Sequence, residues 1–164
     1  MILDQFALLS GAYSAAGALT GQAVTATAVS TNTYDTAPLT LGANQPNDIG
    51  RGEPLEIAIS TLVAATAAGA ATVNFELIQA DDAALTTNVE TLVQTGPIAK
   101  ATLVVGCLIA LHYDRAAPLT PRRYIGVRYT VGTGPLTAGT FSAAIVKNIA
   151  DVANIYGKSG FAVA

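Results

Sequence analysis

TVNFELIQ, residues 72–79, decides the fold class. In an extended chain Val73, Phe75 and Leu77 fall on one side and Asn74 and Glu76 on the other, a period of two that belongs to strands rather than helices. RRYIGVRYTV (122–131) repeats the pattern, with Arg123, Ile125, Val127, Tyr129 and Val131 on one face. LEIAIS (55–60) sets Leu55, Ile57 and Ile59 together in the same way. AVTATAVSTNTY (23–34), VETLVQT (89–95) and TFSAAIVKNI (140–149) read as further strands. TLVVGCLIALHY (102–113) is apolar throughout, which predicts a strand covered on both sides.

Turn chemistry separates these runs. APLTLGANQPND, TAAGAA, ADDAAL, TGPIAK, DRAAPLTP and GTGPLTAG are rich in the proline, glycine and short polar residues that reverse a chain. TGPIAKATL (95–103) and TGPLTAGTF (133–141) echo each other, each reading as a turn handing over to a strand. Helical signals are confined to residues 3–18, broken by Gly11 and Gly17, and 150–156. Seven or eight strands without helical crossovers predict an all-β protein, a jelly-roll antiparallel β-sandwich. The expected division is an irregular N-terminal arm over 1–22 and one sandwich domain over 23–164.

The bulk composition suits a packed β protein. The chain has 164 residues, enough for one domain with a real core. Charged residues make up 12%, about half the usual share of roughly 25%. A free monomer normally carries more charge than this, so an assembly is expected. Net charge is −3, unevenly spread. Residues 1–90 carry nine acids against Arg51 alone, and residues 91–164 carry seven bases against Asp114 and Asp151, giving −8 and +5. Either the halves neutralise each other within one domain, or an acidic surface meets a basic one between subunits. Nucleic acid is not an expected partner, because no dense basic stripe is present. Membrane insertion is not expected either: the charge-free stretch 5–34 is interrupted by Ser, Gly, Thr and Gln. Asp4 stands where an export signal would place positive charge.

Catalytic and cofactor chemistry find no foothold. Cys107, the sole cysteine, leaves no internal disulfide, and its default role is that of a small hydrophobe. His112 is the sole histidine, and its odd offset from Cys107 sends the two side chains to opposite faces of a strand. Zinc would find two ligands at most, and Asp81–Asp82 reads as an exposed turn rather than a calcium cage. NDIGRGEPLEIAIS (47–60) has glycines beside an arginine, but no lysine follows and the next element is a strand. It is therefore a turn rather than a phosphate loop. Arg51 and Glu53 flank that turn and are candidate protein-contact residues. Arg122, Arg123 and Arg128 are the others; with Arg115 they form an arginine group that is either a solvated sheet face or a surface for an acidic partner.

Several phrases taken in order, MILD, AVTATAVSTN, DIGRGEPLEI, RRYIGVRYTV, GPLTAG and SGFAVA, resemble the capsid cement (decoration) proteins of tailed bacteriophages, of the type found on a Bordetella phage. The resemblance implies a jelly-roll sandwich, made in the host bacterial cytoplasm, that assembles on the outer surface of the virion capsid. There it would brace neighbouring major capsid proteins, as a homodimer or homotrimer, with no enzymatic activity and no cofactor. Residues 10–21 and 36–47 look like additions to the family pattern. The charge-free N-terminal segment is expected to act as an arm ordered against a neighbour. The alternative is a carbohydrate- or receptor-binding sandwich of a phage tail or fibre, which would need an aromatic-lined groove.

Overall fold

The computed structural model describes residues 5–36, 55–113 and 122–151. Six substantial strands build the body: β7 (Leu55–Thr66), β8 (Thr72–Ala80), β9 (Glu90–Ala99), β10 (Leu108–Tyr113), β11 (Tyr124–Gly132) and β12 (Ala138–Val146). Six short ones precede them: β1 (Leu8–Ser10), β2 (Ala12–Tyr13), β3 (Leu19–Thr20), β4 (Gln22–Ala23), β5 (Ala28–Val29) and β6 (Tyr34–Asp35). The first sheet runs β1-β12-β7-β10, with β4 also on β12. The second runs β5-β11-β8-β9, with β6 also on β11.

The pairing follows one long antiparallel hairpin rolled into two layers. β8 meets β9 at its tip, then β7 meets β10, β5 meets β11, and β1 meets β12 at the open end. Rolling adds the contacts β12–β7 and β11–β8. Nested pairing of this kind is the jelly roll, and the predicted fold class holds. Val73, Phe75 and Leu77 point between the layers, fully buried, and Ile125, Val127 and Tyr129 meet them from β11. At the centre the rings of Phe75, Tyr129 and Phe141 lie 5.2–5.7 Å apart, two pairs edge-to-face and one stacked. Such geometry adds about 0.5–1.5 kcal/mol per pair beyond the area buried.

Four local expectations need correction. The stretch set aside as an irregular arm is irregular over most of its described length, yet Leu8–Ser10 within it is a sandwich strand. Leu8, Leu9 and Ser10 are fully buried, and the Asn32 amide holds the backbone by donating to the Leu8 and Gly11 carbonyls. Removing residues 1–21 would therefore damage the core and not merely a contact arm. No helix forms over the described part of 3–18, where Gln5–Ala7 is a single 3-10 turn.

The run 23–34 is not a continuous strand. Its polar side chains replace ladder bonds: Gln22 spans the Val29 carbonyl and the Thr31 amide, Thr27 Oγ1 accepts from the Val131 N–H, and Ser30 Oγ accepts from the Val127 N–H. The run 102–113 is not one doubly covered strand either. Gly106, with φ at +83°, turns the chain, and Val104 and Val105 stay exposed ahead of β10, which lies at the sheet edge. Finally, Gly96 and Pro97 do not form a turn. They sit inside β9, an edge strand, where proline's missing donor costs nothing.

Candidate functional site

The two layers turn very different outer faces to their surroundings. On the second sheet the alternation of β8 and β11 brings Asn74, Glu76, Arg128 and Thr130 to the outside, where Glu76 bonds to the other three. Glu76 accepts from Arg128 Nε, from Thr130 Oγ1 at 3.0 Å and from Asn74 Nδ2 at 2.9 Å. Arg128 also donates to Thr91 Oγ1 on β9.

Further along the same sheet, Arg122 grips both carboxylate oxygens of Asp81 at 2.9 Å and Glu90 at 2.8 Å. Asn88 and then Arg122 hold the Asp81 carboxyl below its usual range; Arg122 and then Gln79 do the same for Glu90. Arg123 makes a two-pronged pair with Asp35 at 2.9 Å and lies 5.0 Å above the Tyr124 ring.

The −8 and +5 halves are thereby explained. A rolled hairpin lays the first half of the chain against the second, so acids of one arm meet arginines of the other. Even His112 follows the rule: 74% exposed, it has Nδ1 3.1 Å from Oε1 of its cross-strand neighbour Glu56. Cys107 packs towards the core, away from it.

Residues 81–89 cap this layer at the hairpin tip. Leu85 folds over Ile78, Ala80 and the bare Cα of Gly126, while Asp82 accepts from the Thr86 and Thr87 amides and the Thr86 hydroxyl. Those bonds, led by the Thr87 amide, lower the Asp82 carboxyl to about 2. Asp81 and Asp82 are thus spent on a turn, as their spacing predicts.

The outer face of the first sheet is built from small and apolar side chains. Ala58, Ser60 and Ala144 floor a depression of about 200 Å³, walled by Leu8 and Leu19 on one side and Leu108 on the other. Along β7, β10 and β12 the described face carries charge at one end, where Glu56 and His112 meet. Parity alone could have found this face in LEIAIS and TFSAAIVKNI, but small residues give a weak signal beside an arginine row. Arg51, Glu53 and Arg115 lie outside the described residues.

A family model described as Bbp16, the Bordetella phage cement protein, matches residues 18–145. The chain belongs to the Bbp16 family of phage cement proteins. The matched span takes in the sandwich from β3 into the last residues of β12. Membership in the Bbp16 family makes this a structural phage protein of the capsid cement, or decoration, type, one that binds capsid protein at the virion's capsid surface. No curated protein matches the chain.

Proposed function

We propose that the protein binds the outer surface of the phage capsid and stabilises contacts between neighbouring major capsid proteins. The observation that carries this reading is the Bbp16 match across most of the sandwich. The structure adds a surface suited to the task. A protein contact needs a centre that gives up water cheaply, and the charge-poor outer face of the first sheet, with its 200 Å³ depression, has that character. Arg122, Arg123 and Arg128 are already paired within the chain, so we assign them to holding the second sheet's surface. For Arg51 and Glu53 we propose a place at the polar rim of the contact.

A cement protein acts by mass action. Whatever binds the assembled, expanded shell and not its dissociated parts stabilises the shell by the free energy of that binding. The test is to mix purified protein with undecorated expanded heads and measure co-sedimentation and heat resistance. Saturable binding that raises the temperature of head disruption supports the proposal; no binding at saturating protein overturns it.

A further inference from the structure

Every open sheet invites another strand at its edge, and proteins blunt that invitation with shortness, proline, bulges or charge. Three of the four sides of this sandwich are blunted. β1 is three residues long, and β5 and β6 are two residues each. β9 is long but carries Gly96-Pro97 and two shifts of register against β8. β10 is different. Its six residues, LIALHY, pair in unbroken register with β7 on one side, and no strand among the described residues pairs on the other. It holds no proline, no acid, no lysine or arginine and no bulge. Ile109, on its core-facing side, is left half-buried where Leu111 and Tyr113 are buried.

We propose that β10 pairs antiparallel with β10 of a second copy of this chain, across a two-fold axis normal to the sheet. The blunted edges argue for this occupant. Between two copies, an unblunted edge finds its one equal in the same edge of the partner, which gives an isologous contact that closes as a dimer instead of growing into a fibre. A neutral edge also offers nothing to select a charged extended segment from another protein. The pairing covers Ile109 and joins the two first sheets into one. An axis normal to the sheet leaves both charge-poor outer faces on the same side, doubling the area offered in one plane. Use of that doubled face against a shell rests on the proposed function; the dimer itself does not.

The test uses the full chain in solution with no heads present. At tens of micromolar protein, light scattering after gel filtration should give about 33 kDa, twice the 16.6 kDa chain. Ala110 projects from the outer face of β10, half-buried, close to the proposed axis. Ala110→Lys and Ala110→Glu each set like charges against each other there, and each should halve the mass. Mixing the two in equal amounts should restore the dimer, which a misfolded chain would not do. A monomeric wild-type chain overturns the proposal, as does a dimer that persists in both single variants. Dimerisation without head binding would sink the shell reading alone, and head binding by a monomer would sink this one alone.

Discussion

The hydroxyl of Tyr129 donates to Ser10 Oγ at 2.7 Å inside the core, tying the first strand of one sheet to the eleventh strand of the other. Tyr129 is fully buried, and burial pushes its phenol above the usual range, so the group stays a neutral donor at any working pH. Tyr129→Phe strands the Ser10 hydroxyl in an apolar interior. The loss should be about 1–3 kcal/mol in urea denaturation. Adding Ser10→Ala should recover part of it, because both polar groups are then gone. A double variant as unstable as the sum of the two singles would show that the bond itself contributes nothing.

Gly126 lies under the loop at the hairpin tip. A Cβ there would stand 2.4 Å from Leu85 Cδ1 and 2.8 Å from Ser30 Oγ. Ser30 Oγ is fixed by the Val127 N–H, so Leu85 must move. Gly126→Ala should cost about 1–3 kcal/mol and lift residues 81–89 off the sheet. Faster hydrogen exchange at Thr86 and Thr87, with β7 and β12 unchanged, is the signature to look for.

Acid should loosen the same loop. The folded-state carboxyls of Asp82, Asp81 and Glu90 all lie below their unfolded values, Asp82 at about 2. A depressed carboxyl stabilises fully above its unfolded pKa of about 4 and loses that contribution as pH falls through the folded value. Melting temperature should therefore hold from pH 7 to about 5 and drop between about 4 and 2. Asp82→Ala should melt lower than the parent at pH 7, with the gap closing near pH 2. A gap that stays constant with pH would refute the assignment.

Shell binding should distinguish the two faces. Ser60→Glu puts a charge on the floor of the first sheet's depression and should weaken association with expanded heads at least tenfold. Arg122→Gln, on the opposite layer, should lower thermal stability slightly and leave association within about twofold, since partly exposed ion pairs are worth roughly 0–1 kcal/mol. Co-sedimentation at a temperature where circular dichroism shows both variants folded makes the comparison.

Much of the sandwich is legible in its residues alone. The alternation in 72–79 and 122–131 settles which side chains lie inside, because a strand covered on one face leaves no other choice. The charge asymmetry of the halves is legible too, although its cause, arms of one hairpin lying together, needs the pairing. What stays hidden is whatever depends on distant partners. Leu8–Ser10 is too short to show a period, and its strand exists because β12 lies beside it. Gly96-Pro97 reads as a turn until the chain is seen at a sheet edge. The arginines draw attention as a surface, whereas their partners, Asp35, Glu76, Asp81 and Glu90, sit 32 to 88 positions away.

The nesting of the strands also sets a timetable. β1 leaves the ribosome first, yet its pairing partner β12 is made more than a hundred residues later. β8 and β9 can zip as soon as both are synthesised, with β7 and β10 next, so the sheet grows outward from its tip. Leu8 and Leu9 must wait, uncovered, until synthesis is nearly finished. Closure of the sandwich at its open end is therefore the last event in making the molecule, and a nascent chain stalled before β12 would expose the greasy N-terminal strand to whatever chaperone reaches it first.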